Sequence, residues 1–494
     1  MKKNLFTLLF LIFALPALWA NNIYYEITQE KSVEQIGNEL QALIDNATGG
    51  STIVVTGSKT DASDFLYLHL PEGKKIFWTA FYQSASSLTL HTLIHLHGNG
   101  TFEVGNDGAV IAEGIFALLL QGTNSTVIVS GNGKVQTSGN NVSAISSNGN
   151  IEIKDNAHIS GTKGETICSN SDNAIVLVSG GTVSATSENA IITWGRNSKI
   201  YITGGHVYNN AEGVYHAVYA LDRTYGNETL IHVSGTAIVE AKGKGSALAS
   251  YRDVKVSGNA QVIGHSTGAQ NYGAITAYNN VEINDKAKVM TYYYDRAVHS
   301  DGITYLNGGM AFAYGRSVDF VINNFSFPEP MGAGVVIAWD KRAGNIFYEI
   351  FSTEDISVSP ESATAYWDKI DGEYGISYTH KENSGFIPLN VIVLFINENK
   401  PSSNLKVFPN PTTGVIYISS EQVNKQTSGQ VDEIEVYDIL GRKQKVESRK
   451  GKFPSNSLEG WQPQADGVVM DISHLPSGIY FVRVNNEVVK VVKQ

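Results

Sequence analysis

The chain has 494 residues, enough for at least two domains, and 17% of them are Asp, Glu, Lys or Arg. A net charge of −11 would repel phosphate, and the sequence contains no basic patch with interleaved aromatic residues, so composition excludes nucleic acid as the expected partner. Cys168 is the only cysteine, which excludes an internal disulfide, and we expect it to fill a small buried position.

The first 20 residues are predicted to be a signal peptide. Lys2 and Lys3 precede an apolar stretch at residues 5–15, and a candidate cleavage point follows Ala20. No later segment reaches the roughly 20 apolar residues that a membrane-spanning helix requires. The sequence therefore predicts an exported protein with no transmembrane span in its mature form.

Residues 21–50 are predicted to contain one short amphipathic helix. Ser32 and Gln35 have the spacing of a capping box, in which each side chain bonds the other residue's backbone N–H. We expect the helix to cover the open end of the repeat that follows and to have no catalytic role. Its apolar face would comprise Ile36, Leu40, Leu43 and Ile44.

Residues 51–317 repeat one pattern about every 25 residues, in which two apolar residues alternate with other residues and a Gly or Asp follows. Alternation with a period of two predicts half-buried strands, and the repeat length fits one coil of a parallel β-solenoid. About ten coils, stacked at about 4.8 Å, would form a rod roughly 45 to 50 Å long. The copies start at residues 68, 94, 127, 151, 176, 200, 231, 254, 281 and 304.

The placement of proline supports this architecture independently. Proline lacks the N–H that a central strand must donate to its neighbour. The chain has 12 prolines, but none lies between Pro71 and Pro328.

A second column, an Ala followed by a branched residue or Leu, also recurs once per coil. If the branched residue points inward, alternation sends inward the residue two positions further on. These inward residues are all small, and we expect their hydroxyls to bond along the stack. They are Ser147, Thr193, Ala220, Ser250, Ala277 and Ser300.

The residue that follows each of these should face solvent, and this position holds Asn148, Trp194, Leu221, Tyr251, Tyr278 and Asp301. Aromatic faces next to planar polar side chains are suited to sugars, because the ring accepts the C–H side of a pyranose. The alternative is that the rings stack on one another and only shield the backbone. The candidate glycan-binding residues are Trp194, Arg196, Asp222, Arg223, Tyr251, Arg252, Asp253, Tyr278, Asn279 and Asn280.

The C-terminal part departs from the repeat. Residues 318–396 are predicted to form a β-rich cap or small sandwich, and residues 397–404 a polar linker. Beyond them, strand-like runs are separated by Pro-Asn-Pro, Leu-Gly and Pro-Ser-Gly turns, which predicts a β-sandwich. The motifs are KVFPNPTTG at 406–414, VYDILGR at 436–442, DISHLPSGIYFVRV at 471–484 and KVVK at 490–493.

These motifs resemble the type IX secretion C-terminal sorting domain, type A, over residues 405–494. The resemblance implies recognition by the type IX secretion machinery and passage across the outer membrane of a Gram-negative bacterium. It further implies removal of the tail, with release or attachment to surface lipopolysaccharide. One departure is a long insert at residues 449–467, which leaves the cleavage and anchoring outcome open.

The repeat region resembles, more loosely, the right-handed β-helices of the pectin-lyase-like superfamily. That superfamily includes polysaccharide lyases, glycosidases, adhesins and carbohydrate binders, and fold alone does not choose among them. The Asn-Thr-Asp, Asp-Asp and Gly-His-Gly signatures of galacturonases are absent from this sequence. The expected fold class is all-β: a right-handed parallel β-helix with an N-terminal capping helix, a β-rich cap region and a C-terminal Ig-like β-sandwich.

We expect a surface-delivered protein that binds glycan or mediates adhesion without catalysis or cofactor. The first alternative is a polysaccharide lyase or glycosidase that uses Asp222 and Asp253, although these carboxylates fall one column apart. A lyase would pair Arg223 with Asp222 or Arg252 with Asp253 and leave calcium open as a cofactor, but Arg is a poor base. The second alternative is a structural spacer.

Three histidines, His91, His95 and His97, have strand-alternating spacing that could indicate zinc. No flanking carboxylate is present to complete a zinc site with them. A metal site is therefore not predicted.

Overall fold

The structure is a computed structural model, in which the chain forms two compact units. The first comprises residues 1–342, 354–365 and 378–384, and the second comprises residues 343–353, 366–377 and 385–494. The described residues are 22–85, 91–221, 230–265, 273–291, 296–314, 321–325, 331–339, 356–359, 364–370, 373–380, 383–388, 406–408, 415–419, 434–438, 443–452, 466–475, 478–484 and 487–493. The predicted signal peptide at residues 1–20 and the predicted linker at 397–404 lie outside these ranges.

The N-terminal segment contains helix α1 (Val33–Asn46). Ser32 is its N-cap: the Ser32 hydroxyl accepts from the Gln35 N–H at 3.1 Å, and the Gln35 side chain accepts from the Ser32 N–H at 2.9 Å. The helix buries Val33, Ile36, Leu40 and Ile44 in the same hydrophobic core as the strands that follow. Within the described part of the chain, no helix combines the length and hydrophobicity that crossing a bilayer demands.

Most of the first unit is a parallel β-solenoid with three strand positions per coil. The first two positions form a sheet network of 23 strands, numbered here in chain order. The first-position strands, which we call sheet I, are β1 (Asn22–Ile27), β2 (Thr52–Ala62), β4 (Lys75–Trp78), β7 (Thr101–Val104), β10 (Thr126–Val129), β13 (Asn150–Ile153), β16 (Ile175–Val178), β19 (Lys199–Ile202), β22 (Leu230–Val233), β25 (Asp253–Val256), β28 (Val281–Asn284), β31 (Thr304–Tyr314) and β33 (Met331–Trp339).

The second position continues around the coil. Strands β2, β31 and β33 are long enough to contribute to both positions. The remaining second-position strands, sheet II, are β5 (Phe81–Ser84), β8 (Ala109–Ala112), β11 (Lys134–Asn140), β14 (His158–Lys163), β17 (Thr182–Ala185), β20 (His206–Asn209), β23 (Ile238–Ala241), β26 (Gln261–Gly264), β29 (Lys288–Thr291) and β34 (Ile356–Ser359).

The third position forms a separate 11-stranded parallel sheet, which we call sheet III. Its strands are β3 (Leu66–His69), β6 (Thr92–His97), β9 (Phe116–Leu120), β12 (Ile145–Ser147), β15 (Ile167–Ser169), β18 (Ile191–Thr193), β21 (Val218–Ala220), β24 (Leu248–Ser250), β27 (Ile275–Ala277), β30 (Val298–Ser300) and β32 (Ile322–Asn324).

Each strand pairs in register with its equivalents one coil before and one coil after. Val127 of β10, for example, pairs with Phe102 of β7 and with Ile151 of β13. Alternate residues therefore point into the coil, and all three of these side chains are at most 1% exposed. The inward side chains of all three sheets form one continuous hydrophobic core, which confirms the predicted parallel β-solenoid.

The copies predicted at 68–76 and 94–102 occupy a different corner from the others. Leu68 pairs with Leu96 in sheet III, whereas Val127 and its equivalents lie in sheet I. The same apolar alternation occurs at every corner, so alternation by itself does not identify the corner. Residues 102–110 are the true equivalent: Phe102 and Val110 pair with Val127 and Val135.

The solenoid also extends past the predicted boundary at residue 317. Strand β33 pairs in parallel with β31, from Tyr305 opposite Met331 to Tyr314 opposite Trp339. Strand β34 then pairs antiparallel with β33, which ends the parallel stacking at this edge. The repeat is hard to recognise here because β31 and β33 run through the corner without the usual break between two short strands.

The column predicted to point inward does so: Ser147, Thr193, Ala220, Ser250, Ala277 and Ser300 are all at most 1% exposed. Several of its hydroxyls bond differently from the prediction. Ser147, Ser250 and Ser300 accept the backbone N–H two residues further on, at 2.9, 3.0 and 3.1 Å, and only Ser300 of these three also donates along the stack, to the Asn279 carbonyl of the preceding coil at 2.7 Å. Each such bond closes a tight turn at the end of a sheet III strand, because a Ser hydroxyl can replace a backbone acceptor there.

Further strands follow the solenoid. One three-stranded sheet consists of β35 (Thr364–Ile370), β36 (Glu373–His380) and β37 (Asn383–Pro388). The C-terminal strands form two four-stranded sheets, in the order β38-β39-β43-β42 and β41-β40-β44-β45, around a shared core that includes Ile416, Val436 and Val482. Their bounds are β38 (Lys406–Phe408), β39 (Val415–Ser419), β40 (Ile434–Asp438), β41 (Lys443–Gln444), β42 (Glu447–Lys452), β43 (Asp466–Asp471), β44 (Gly478–Val484) and β45 (Glu487–Lys493).

Candidate ligand-binding surface

The predicted glycan shelf lies on the outer side of sheet III, where two columns of side chains run along the solenoid. The middle column comes from the central outward residue of each strand: Tyr67, His95, Leu119, Ser146, Cys168, Ile192, Tyr219, Ala249, Thr276, His299 and Asn323. The rim column lies two residues further on, at or just after the end of each strand: His69, His97, Gln121, Asn148, Asn170, Trp194, Leu221, Tyr251, Tyr278, Asp301 and Phe325.

The two columns differ in exposure. In the middle column, Ser146, Ile192, Ala249 and Thr276 are buried although they face outward. In the rim column, Trp194 is 41% exposed and Tyr278 is 55% exposed. Beside these four residues the rim column is therefore the accessible band and the middle column is recessed, whereas Tyr67 at the N-terminal end of the middle column is 48% exposed.

Trp194, Tyr251 and Tyr278 lie in the rim column, as the sequence predicted. The prediction that Leu221 faces solvent is wrong, because Leu221 is only 3% exposed. Each coil contributes one residue, or rung, to the rim column. Leu221 lies on the rung between those of Trp194 and Tyr251, and both of these have larger side chains. The aromatic ladder is thus interrupted at the surface between Trp194 and Tyr251.

The tyrosines of the rim stack on one another. The rings of Tyr251 and Tyr278 are 4.6 Å apart with an interplanar angle of 17°, and Tyr219 of the middle column lies 6.3 Å from Tyr251. The close approach matches the spacing between rungs, so each ring lies nearly flat on the next. One face of each of these two rings is therefore covered by the other.

The planar polar residues predicted to flank the shelf have mixed placements. Asp253 Oδ1 accepts the backbone N–H of Asn280 at 3.1 Å, and Asn280 Oδ1 accepts that of Ile303 at 2.9 Å. These side chains therefore link the backbone of successive coils. Asn279 is half-buried, and its carbonyl accepts from the Ser300 hydroxyl at 2.7 Å.

The predicted arginines also differ from each other. Arg196 is exposed, and its backbone N–H donates to Asp172 Oδ1 at 2.8 Å. Arg252 is half-buried, with its guanidinium Nε shielded from solvent. Asp222 and Arg223 lie outside the described residues.

A second polar cluster, on the outer side of sheet II, has no counterpart in the sequence predictions. Glu240 Oε1 lies 2.9 Å from His265 Nε2, and Glu240 Oε2 lies 3.2 Å from His206 Nε2. Burial opposes ionisation of Glu240, but bonds from both imidazoles hold its pKa well below the usual carboxyl range. The three residues come from successive coils at unequal spacing, so only the strand register could have placed them together.

His216 forms a third polar site, at the entrance to β21. Its Nδ1 accepts the Ser246 N–H at 3.0 Å, its own N–H donates to Asn189 Oδ1 at 2.8 Å, and its ring lies 4.8 Å from Tyr219. Burial lowers the pKa of His216 to about 4, because the charged imidazolium would lose its hydration. Through its neutral imidazole and its backbone N–H together, His216 thus connects three coils beside the aromatic rim.

The histidines considered for zinc are spread along the outer side of sheet III. His95 meets Tyr67 edge-on at 5.3 Å, and His97 lies 5.5 Å from His69. Among the described residues, no group of three or more His, Cys, Asp or Glu side chains has the arrangement of a metal site. Cys168 is half-buried in the middle column, and burial raises its thiol pKa to about 12.

The fold and the tail together define an exported β-solenoid protein. Residues 406–494 match the family model of the secretion system C-terminal sorting domain. The chain therefore carries a type IX sorting domain, which engages the secretion machinery and directs it across the outer membrane to the cell surface or the extracellular space. No curated protein and no solved structure matches the chain.

Proposed function

We propose that this exported solenoid binds glycan, or mediates adhesion through glycan, without catalysis, and that the rim column of sheet III is the contact surface. The observation that supports this most directly is the exposure of Trp194 and Tyr278 in one column of a regular sheet. Exposed aromatic residues on a rigid backbone offer large contact area at low entropic cost. Repetition along the axis suits a ligand that is itself repetitive.

The tyrosine stack modifies how a sugar would be held. Because Tyr251 and Tyr278 lie against each other, each ring has only one face left for a ligand, besides its edge and hydroxyl. The exposed Trp194 indole is then the better platform for the C–H face of a pyranose, and the adjacent Asn170 and Arg196 supply amide and guanidinium donors. We therefore propose Trp194 as the main aromatic contact.

A structural spacer is the second candidate, and the same stack favours it. Rings that pack at 4.6 Å shield the backbone and stabilise the coil whether or not a ligand binds. In that case the rim would contribute only to stability. The loose resemblance to pectin-lyase-like β-helices accommodates both candidates and also the lyase or glycosidase alternative.

Glycan-array binding of the protein without residues 1–20 and without its sorting domain tests the proposal. Trp194→Ala should lower affinity for the bound glycans at least ten-fold at a temperature well below its melting temperature, where circular dichroism shows that the fold is intact. Thr123→Ala, at an exposed position beside the rim three coils away, is the matched control. Unchanged glycan binding by Trp194→Ala, or no binding to any glycan, would favour the spacer.

The enzymatic alternative is tested on the same preparation. Acidic and neutral polysaccharides are incubated with the protein and assayed for unsaturated products and new reducing ends. We expect no turnover. Reproducible turnover that disappears in Asp253→Ala, with the fold intact by circular dichroism, would replace the binding proposal with a catalytic one.

A further inference from the structure

The outer side of sheet III is poor in charge compared with the other faces of the solenoid. Asp301 is the only Asp, Glu, Lys or Arg in the middle and rim columns as defined above. Most other rim positions that reach solvent hold His, Gln, Asn, Trp or Tyr. Uncharged side chains of this kind bond neutral hydroxyls without paying to desolvate an ionic group.

Sheet I shows that the scarcity of charged residues is a property of one face of the solenoid and not of all its faces. Its outer columns contain ion pairs, with Lys75 Nζ 2.6 Å from Glu103 Oε2 and Lys255 Nζ 3.2 Å from Glu282 Oε2. Each pair joins neighbouring positions on the strand surface. Charged residues are thus accommodated in stacked columns elsewhere in this solenoid, so stacking alone does not explain their scarcity in sheet III.

The charged residues nearest the rim are of both signs, and several have structural bonds. Asp172 accepts the Arg196 N–H, and Asp253 accepts the Asn280 N–H. A polyanion bound along this face would meet these carboxylates and Asp301 without a continuous row of cations. An anionic polymer is therefore poorly matched to the surface.

The geometry points to an uncharged polysaccharide as the ligand, extended along the solenoid axis over several rungs of the rim column. This inference rests on the proposed glycan-binding function and specifies its ligand class and direction. From Gln121 to Tyr278 the column crosses six rung spacings, about 29 Å at about 4.8 Å each. A chain of several sugars would contact Gln121, Asn148, Asn170, Trp194 and Tyr278 in turn.

Matched polymer pairs that differ only in charge test the ligand class. The pairs are methyl-esterified against de-esterified homogalacturonan, and hydroxyethyl against carboxymethyl cellulose. We expect the neutral member of a bound pair to bind at least ten-fold tighter, with less than a two-fold change in affinity between ~50 and ~500 mM NaCl, because contacts without ionic partners are hardly screened. Preference for the charged member, weakened by salt, would overturn the inference and leave glycan binding intact.

The course of the bound polymer along the solenoid axis is tested with Gln121→Ala, at a position three rungs from Trp194. This variant should weaken binding of long chains of the bound neutral polymer by three-fold or more. It should leave binding of its disaccharide unchanged, since two sugars are too short to span the three rung spacings, about 14 Å, from Trp194 to Gln121. An equal loss of affinity for long and short chains, or no loss for long chains, would exclude an axial course. Absence of binding to every polymer and glycan tested would instead contradict the proposed function itself.

Discussion

The side-chain amide of Gln41 pairs with the backbone of His69 as another strand would. Gln41 Oε1 accepts the His69 N–H at 2.8 Å, and Gln41 Nε2 donates to the His69 carbonyl at 3.1 Å. His69 ends β3, the first strand of sheet III, whose outer edge has no strand beyond it in the described sheet. Helix α1 thus supplies, from one residue, both hydrogen-bonding groups that a neighbouring strand would present, and it blocks end-to-end pairing there.

Replacing Gln41 should loosen this end of the solenoid. Gln41→Met, which keeps similar volume but removes both bonds, should cost about 1–3 kcal/mol and speed hydrogen exchange at the His69 amide. Gln41→Glu keeps the acceptor but loses the donor and faces the Asp45 carboxylate, to which Gln41 Nε2 donates at 2.8 Å, so it should protect that amide less than the wild type and better than Gln41→Met only where Asp45 is protonated. Asn38→Ala, at an exposed helix position, is the control; equal exchange in Gln41→Met and Asn38→Ala would show that the pairing contributes nothing.

The inward hydroxyls of sheet III should contribute differently to the free energy of unfolding, according to their hydrogen-bond partners. Ser250 accepts the Arg252 N–H, so Ser250→Ala should lower the free energy of unfolding by about 1–3 kcal/mol. Ser169 occupies the same column three coils earlier in the stack, and its buried hydroxyl finds no hydrogen-bond partner among the described residues. Ser169→Ala should therefore be neutral or stabilise by up to about 1 kcal/mol.

Urea unfolding of the two Ser→Ala variants makes this comparison directly. Both substitutions remove one oxygen from a fully buried position, so transfer and volume effects nearly cancel. Equal losses of stability in Ser250→Ala and Ser169→Ala would mean that the turn bond at Arg252 is not responsible.

His216 should make stability depend on pH in a defined window. Its folded pKa of about 4 lies below the ordinary value of 6.5, so the unfolded chain binds the proton more readily. The stability that depends on His216 staying neutral is therefore complete above about pH 6.5. It is lost as the pH falls toward 4, and the loss is at most about 3 kcal/mol. Difference curves between the wild type and His216→Gln, from unfolding at a series of pH values, should show this slope; a flat difference across the window would contradict the assignment.

Two glycines with positive φ should respond very differently to a methyl group. Gly57 has φ of +91°, and a Cβ there would collide with the Ile27 backbone oxygen of the paired strand β1. Gly73 has φ of +77° but open space around it. Gly73→Ala should cost about 1–2 kcal/mol from the backbone conformation alone, and Gly57→Ala about 3 kcal/mol or more, with faster exchange across β1.

The Gly73→Ala variant isolates the conformational cost, since both positions are in the left-handed region. Thermal unfolding ranks the two variants, and exchange at Tyr25 and Ile27 reports on β1. Similar melting temperatures for the two variants would show that β1 moves away from the added methyl group at little cost.

Much of the fold followed from the sequence because period-two alternation and proline exclusion are local requirements of a strand ladder. The inward placement of Ser147, Thr193 and Ser250 needed only alternation within one strand. The sorting domain was recognisable because its turn motifs are contiguous in the chain. In each of these cases the residues that decide the outcome lie within a few positions of one another.

The tertiary structure alone decided what depends on neighbouring coils. It placed Tyr251 against Tyr278, buried Leu221, joined Glu240 to His206 and His265, and tied Asp253 to the backbone of Asn280. These contacts connect residues about 25 positions apart, and a coil that gains or loses a few residues changes which side chains meet. The sequence by itself determined that the coils stack. The surface that they present was determined by the register and the corner geometry between coils, which no single coil encodes.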